Sequence, residues 1–147
     1  MNLMVNNFRM YFYPINIGKS KKITIIGGIN VLNDVDEAIY VGNKFKEACE
    51  RNQIAYVFKA SFDKANRTSF EGYRGPGFSK GLEMLREIKS ILKVPILTDI
   101  HETYQASKAA EVCDMLQLPA FLARQTDLIK ALANTGKPIN IKKPQFI

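Results

Sequence analysis

The 147-residue sequence predicts an α/β fold in which the strands of a parallel sheet alternate with amphipathic helices. Short apolar runs of strand length recur along the chain, and the segments between them place apolar residues at helical spacing. Polar and charged residues collect directly after the apolar runs. Because ligands of parallel sheets bind at the carboxyl ends of the strands, this third observation also predicts where a functional site lies.

Individual elements follow from the same patterns. Lys22–Ile29 is predicted as the first central strand, and its glycine pair at 27–28 allows another group to approach the backbone closely. Asn33 or Asp34 can cap the next helix, with a glutamate at position 37 as in a capping box. The later helices are predicted at Ser79–Lys93, Thr103–Cys113 and Gln125–Asn134, and the later strands at Ala55–Phe62, Val94–Ile100, Met115–Phe121 and Pro138–Lys143.

The composition is 46% hydrophobic and 24% charged, which is typical of a globular domain with a core and excludes a disordered or collagen-like chain. A formal net charge of +7 is compatible with a nucleic-acid partner. The basic residues are scattered, however, and the sequence carries no RNP, KH or zinc-finger signature. We therefore expect no nucleic-acid binding, and we expect small phosphorylated or carboxylated ligands instead.

Residues 1–21 are interpreted as a hairpin-like lead-in and residues 22–147 as the main domain. Aromatic and branched side chains at 8–17 favour extended structure, and residues 16–20 supply turn chemistry. The lead-in has neither a long apolar core nor a small-residue cleavage site, so we expect no signal peptide and no membrane span. Cys49 and Cys113 lie in helical patterns without CxxC spacing, which predicts two buried, reduced thiols in a cytoplasmic protein.

The most informative stretch is the polar loop from Lys59 to Gly77, KASFDKANRTSFEGYRGPG. Lys59 ends an otherwise apolar strand, and burial of an ammonium without a partner costs several kcal/mol. Lys64, Arg67 and Arg74 follow it, so the loop outlines an anion site. Loops of this length in compact domains are usually functional or disordered, and the glycines and proline at 72–77 favour a shaped, functional loop.

Other strand ends supply further polar groups. Asn30 follows the first strand, Asp99 and His101 follow the third, residues 117–124 the fourth and residues 142–145 the fifth. Five cations at these ends would suit a substrate carrying both phosphate and carboxylate, although any one of them could be a solvated surface charge: Lys59, Lys64, Arg67, Arg124 and Lys142.

His101 is the only histidine, which argues against a Ser-His or Cys-His triad and against a multi-histidine metal site within this chain. It could equally be a structural, hydrogen-bonded histidine. Asp99 could position water or a substrate hydroxyl, or simply pair with a lysine.

Five motifs together resemble the family of 3-deoxy-D-manno-octulosonate-8-phosphate synthases, from about Ile25 onward. They are KASFDKANRTS, YRGPG, LTDIHE, QLPAFLARQTDL and INIKKPQF. The resemblance implies a (β/α)8 TIM barrel, a cytoplasmic homo-oligomer and a transferase without cofactor. The implied reaction joins phosphoenolpyruvate, D-arabinose 5-phosphate and water into 3-deoxy-D-manno-octulosonate 8-phosphate and phosphate, for lipopolysaccharide sugar biosynthesis.

The resemblance also assigns residues, of which Lys64, Asn30 and Asp99 are the candidate catalytic ones. Asparagine at position 30, where metal-dependent members carry a cysteine ligand, implies an enzyme without a required metal, since an amide is a poor substitute for a soft thiolate. Residues expected at the phosphoenolpyruvate site are Lys59, Lys64, Asp99, Gln117, Pro119, Ala120 and Lys142. Residues expected at the arabinose 5-phosphate site are Asn66, Arg67 and Thr68 (where the family usually has serine), with Arg124 and Phe121 reaching into a neighbouring subunit's site.

A (β/α)8 barrel typically needs about 250 residues, so the sequence predicts a barrel truncated after about its fifth strand. Only part of the family's active site is then expected, and the open sheet would expose unpaired edges. A fragment, a degraded gene product and a half-barrel completed by another chain are the alternatives. Two functional alternatives also stay open: the related synthase that uses erythrose 4-phosphate, which the KANRTS and PAFLARQTDL motifs disfavour, and an inactive remnant that only binds phosphorylated ligands or assembles with other chains.

Overall fold

The computed structural model describes residues 8–9, 14–15, 17 and 23–146. Its strands are β1 (Phe8–Arg9), β2 (Pro14–Ile15), β3 (Thr24–Gly28), β4 (Ala55–Lys59), β5 (Ile96–Asp99), β6 (Met115–Leu118) and β7 (Ile139–Ile141). Its helices are α1 (Val35–Arg51), α2 (Phe78–Leu92), α3 (Gln105–Val112) and α4 (Thr126–Ala133), with a short 3-10 helix at Ala120–Leu122. None of the helices in these residues is long and apolar enough to cross a membrane.

Strands β3 to β7 form one parallel sheet in sequence order, and each successive pair is linked by a crossover that contains a helix. The sheet curls into a half-barrel. This arrangement confirms the predicted α/β class, with five parallel strands and four helices of a partial (β/α) barrel. Among the described strands, β3 and β7 each have one hydrogen-bonded neighbour in this sheet, as expected for a barrel that is open on one side.

The main core lies between the sheet and the helices. Alternate strand residues such as Phe58, Ile96 and Leu116 are completely buried there, in one cluster with Leu85 and Ile88 of α2. Burying one such side chain contributes about 1.5–3 kcal/mol, so the buried residues of this face stabilise the fold substantially.

The inner face of the sheet carries a smaller apolar cluster of Val57, Leu97 and Met115, against which Ile17 of the lead-in packs. Side chains in a strand alternate between the two faces. Two residues beyond each member of this cluster, the same inner face therefore carries a polar side chain: Lys59, Asp99 and Gln117. The hydrophobic pattern thus fixes which residues can line the site.

Several local predictions are confirmed. Asp34 caps α1, because its carboxylate accepts a hydrogen bond from the Glu37 backbone N–H at 2.8 Å. Gly28 has φ +155°, and a Cβ at this position would collide with the carbonyl group of Lys59 on β4. Cys49 and Cys113 are both buried and free.

Some boundaries were predicted too long. β4 ends at Lys59 rather than at Phe62, because the chain turns there into the polar loop. β6 ends at Leu118 rather than at Phe121, since Pro119 has no N–H to donate to the sheet and the chain then enters the 3-10 helix.

The lead-in contains an antiparallel ladder that pairs Phe8 with Ile15 and Arg9 with Pro14. Both paired segments lie within the run 8–17 that was predicted as extended. The predicted turn falls on positions 16 and 18–20, which lie outside the described residues. The division into a lead-in and a main domain stays a prediction.

Candidate anion-binding site

The core of the site is an ion pair between neighbouring strand ends. Lys59 ends β4 and Asp99 ends β5, and the Lys59 Nζ lies 3.7 Å from the Asp99 Oδ1. The ammonium also donates a hydrogen bond to the Ser61 Oγ at 2.5 Å. The Lys59 side chain is 20% exposed and that of Asp99 12%. Asp99 therefore pairs with a lysine, one of the two roles considered for it from the sequence.

His101 contacts the other oxygen of the same carboxylate. The distance between the His101 Nε2 and the Asp99 Oδ2 is 3.1 Å. Within the described part of the chain, the buried Asp99 Oδ1 and His101 Nδ1 have no hydrogen-bond partner. Buried polar atoms without a partner are rare and costly. The two unpartnered atoms are therefore available to a ligand or to water at this site.

Two further lysines extend the positive charge around Lys59. Burial lowers the pKa of Lys59, the Asp99 carboxylate opposes this effect, and the charges of Lys64 and Lys142 lower the pKa further. Lys64 and Lys142 are therefore close enough to interact electrostatically with Lys59. Three interacting lysines, of which only Lys59 is paired with Asp99 in the described part of the chain, leave an excess of positive charge, which favours an anionic ligand.

Asp99 is ionised in this setting. Burial alone would raise its pKa, but the hydrogen bond from His101, the charge of Lys59 and the Ser61 hydroxyl together outweigh burial and hold it below the ordinary value of 3.8. The carboxylate thus compensates part of the lysine charge at neutral pH.

Gln117 is held by a residue that the sequence reasoning missed. Asn140 lies beside Gln117 in the ladder between β6 and β7, and its Nδ2 donates to the Gln117 Oε1 at 2.8 Å. This leaves the two N–H donors of the Gln117 amide for a ligand. The signal was available, because Asn140 is two residues before Lys142 and so shares its face of the strand. Pro119 and Ala120 follow Gln117 and are partly buried.

The loop after β4 is shaped by its own ion pair. Arg74 was first grouped with the anion-binding cations, but its guanidinium binds both carboxylate oxygens of Asp63, at 2.9 and 2.6 Å. The backbone N–H of Lys64 donates to the carbonyl of Arg74 at 2.6 Å. Arg74 is therefore paired with Asp63 and closes the loop, and a role for it in anion binding stays a prediction.

The residues predicted for the pentose phosphate make no contact with Lys59, Lys64 or Lys142 that the structure shows. Asn66 and Thr68 are exposed, and the Arg67 guanidinium donates to the carbonyl of Phe70 at 3.1 and 2.8 Å. Arg124 and Phe121 are also exposed. Their contribution to a neighbouring subunit's site stays a prediction.

Asn30 lies in an exposed turn next to the start of the polar loop. The flanking backbone groups join the two segments, since Ile29 N–H donates to the Lys59 carbonyl and Leu32 N–H to the Ser61 carbonyl. Across residues 23–146, no group of three or more histidine, cysteine, aspartate or glutamate side chains is placed to hold a metal ion. The role of Asn30 and the metal independence inferred from it stay predictions.

The sequence matches the DAHP synthetase I family over residues 3–147. It is 53% identical over 133 residues to a 2-dehydro-3-deoxyphosphooctonate aldolase of Colwellia psychrerythraea, which covers 90% of this chain and 48% of that protein. Proteins of the same name from Pseudoalteromonas translucida and Marinobacter nauticus are 50% identical over 143 residues and 55% identical over 133 residues. These matches cover 97% and 90% of this chain, and 50% and 47% of those proteins. The chain thus spans about half the length of the curated relatives it matches.

Proposed function

Because the chain belongs to the DAHP synthetase I family, we propose that it supplies the phosphoenolpyruvate-binding part of a 3-deoxy-8-phosphooctulonate synthase. In this reaction the C3 methylene carbon of phosphoenolpyruvate bonds to the aldehyde carbon of D-arabinose 5-phosphate, water adds at C2, and phosphate departs from C2. The relatives are named for an eight-carbon product. Three carbons from phosphoenolpyruvate and five from a pentose make eight, which favours arabinose 5-phosphate over the four-carbon erythrose 4-phosphate.

The observation that carries the proposal is the cluster at the carboxyl ends of the strands in which Lys59 pairs with the ionised Asp99 and interacts with Lys64 and Lys142. Phosphoenolpyruvate carries a phosphate and a carboxylate, and both need cationic partners. Carbon–oxygen cleavage also requires stabilisation of the charge on the departing phosphate, which preorganised cations in a partly dehydrated site provide. Holding the enol carbon against the aldehyde adds the benefit of proximity.

Further parts of the proposal rest on the motifs. The phosphoenolpyruvate site is completed by Gln117, Pro119 and Ala120. The N–H donors of the Gln117 amide remain free to bind the ligand. Asn66, Arg67 and Thr68 bind the pentose phosphate, with Arg124 and Phe121 acting across subunits of a cytoplasmic homo-oligomer. Lys64, Asn30 and Asp99 are the proposed catalytic residues. Asn30 replaces a thiolate ligand, so we propose that the reaction requires no metal.

The first test is calorimetric titration of the 147-residue protein with phosphoenolpyruvate. Lys59→Ala should weaken binding at least about tenfold, because loss of one charge-assisted contact of about 1.5–3 kcal/mol corresponds to that factor or more. Lys130→Ala, which removes an exposed lysine on α4, is the matched control and should leave the affinity unchanged. Equal losses in the two variants would refute the proposed site.

The second test measures phosphate release from phosphoenolpyruvate with arabinose 5-phosphate or erythrose 4-phosphate as the acceptor. Release that depends on arabinose 5-phosphate supports the synthase. Release with erythrose 4-phosphate alone would favour the related four-carbon reaction. Binding without release would instead favour the alternative of a protein that only binds phosphorylated ligands.

A further inference from the structure

His101 is fixed from three directions. The Gln105 Oε1 accepts hydrogen bonds from the backbone N–H groups of His101 and Glu102, at 3.0 and 3.1 Å. The imidazole meets the fully buried Phe62 ring edge-on, with 5.6 Å between the ring centroids. Its Nε2 contacts the Asp99 carboxylate. His101 is therefore held in one place by its neighbours, whereas a solvated side chain at a strand end would lack such contacts.

The contact with Asp99 determines how that carboxylate faces its other partner. The terminal torsion of an aspartate side chain is broad, so the carboxylate can rotate when only one weak contact holds it. The Lys59 ammonium lies 3.7 Å from the Oδ1, beyond hydrogen-bonding distance, and does not fix the rotation by itself. Of the two contacts, that of His101 to the Oδ2, at 3.1 Å, is the shorter, and together with the Ser61 hydroxyl it holds the Oδ1 toward Lys59.

We propose that His101 is a positioning residue of the anion site, which holds the Asp99 carboxylate in the orientation that keeps the Lys59 ammonium charged and in place. The inference deepens the proposed function and rests on it for its consequence in binding. The charged and titratable groups that act on Lys59 are Asp99, Lys64 and Lys142, while Lys59 and His101 act on Asp99.

The physical reason is the balance of charges on Lys59. Burial, Lys64 and Lys142 all favour its neutral amine, and Asp99 favours the ammonium. A carboxylate that rotates away from Lys59 stabilises the ammonium less, because the attraction falls with distance. A neutral amine has no charge to offer to a phosphate or carboxylate, so the affinity of the site for anions falls as well.

The direct experiment measures the pKa of Lys59 without any ligand. Lysines are ¹³C-methylated and titrated by NMR from about pH 7 to about pH 11, which spans the ordinary lysine value, and Lys59→Arg identifies the resonance. His101→Leu fills the space beside Phe62 but offers no donor, so it should lower the pKa of Lys59. His101→Gln places an amide N–H near the position of the imidazole Nε2 and should restore most of the wild-type value. Ser107→Ala, on the exposed face of α3, is the matched control.

Phosphoenolpyruvate affinity is measured on the same proteins. His101→Leu should bind about tenfold more weakly, because a neutral or displaced Lys59 loses its charge-assisted hydrogen bond to the ligand, and the alkaline decline of affinity should begin at lower pH. His101→Gln should recover both. A purely structural role would lower the melting temperature without moving the titration of Lys59.

The outcomes separate the two proposals. An unchanged Lys59 pKa in His101→Leu would overturn the positioning role even if phosphoenolpyruvate binds. A lowered Lys59 pKa, restored by glutamine, would support the positioning role even if the wild-type chain fails to bind phosphoenolpyruvate, and that failure would count against the proposed function alone.

Discussion

Replacement of Asp99 by asparagine should destabilise the fold by about 2 kcal/mol at neutral pH. The substitution keeps the size of the side chain and an oxygen that can accept a hydrogen bond from His101. It removes the charge that compensates Lys59, which would then lie at a strand end with two other lysines and no opposing carboxylate.

The magnitude follows from the geometry. Two unit charges at the observed 3.7 Å attract each other by about 4.5 kcal/mol at an effective dielectric constant of about 20. The Lys59 side chain is 20% exposed, so water screens part of this attraction. The asparagine also avoids the desolvation cost of a carboxylate. Together these effects reduce the expected net loss to about half of the Coulomb value.

The assay is urea unfolding followed by circular dichroism. Glu83→Gln, which neutralises an exposed carboxylate on α2, serves as the matched control and should change the free energy of unfolding by less than about 0.5 kcal/mol. An Asp99→Asn protein as stable as the wild type would refute the pairing of Lys59 with Asp99.

The pH dependence gives a second check with a definite sign. The folded pKa of Lys59 is already lowered, and loss of Asp99 lowers it further. Between this folded pKa and the unfolded value the unfolded state binds more protons, so stability rises with pH in that window. The difference in free energy of unfolding between the wild type and Asp99→Asn should therefore become smaller at alkaline pH. On the acid side, the wild type loses the contribution of Asp99 as the pH falls through its folded pKa, below 3.8.

Two other predictions concern the backbone and the thiols. Gly28→Ala should cost about 1–3 kcal/mol and weaken phosphoenolpyruvate binding, because the new Cβ collides with the carbonyl of Lys59. Gly136→Ala, at φ +66° with open space around it, should strain the backbone without affecting binding, and calorimetry of both variants tests the contrast. Cys49 and Cys113 are both buried, and burial raises the pKa of Cys113 to about 12. Both thiols should therefore resist Ellman's reagent in the native state and react after unfolding. Rapid labelling of the native protein would contradict the packing.

The architecture was predictable from the sequence because periodicity reports burial. The apolar runs identified all five strands of the sheet, and the helical spacing identified the four helices. The strand ends were less predictable. At Leu118 the sheet stops because of Pro119, and the apolar residues after it fold into a 3-10 helix, which their hydrophobicity alone does not reveal.

The sequence was sufficient to predict that the candidate site residues lie at strand ends. It was not sufficient to predict which of these residues contact each other. The alternation along β4 and β5 places Lys59 and Asp99 on one face, so their meeting follows from the fold. The pairing of Arg74 with Asp63 depends on the path of a long loop, and residues eleven apart in sequence give no local signal for it. Asn140 was missed because a neutral amide within an apolar strand resembles packing more than chemistry.

The hydrogen bonds of Arg67 to the Phe70 carbonyl have a consequence for any phosphate that this arginine binds. The guanidinium is already engaged, and it also lies over the Phe70 ring at 5.5 Å. The carbonyl occupies the Nε–H and one Nη2–H, so three of the five guanidinium N–H groups remain available to a phosphate. The Phe70 carbonyl therefore restricts the orientation of Arg67 without using up its donors, so a change in the backbone path at position 70 would redirect the remaining N–H groups.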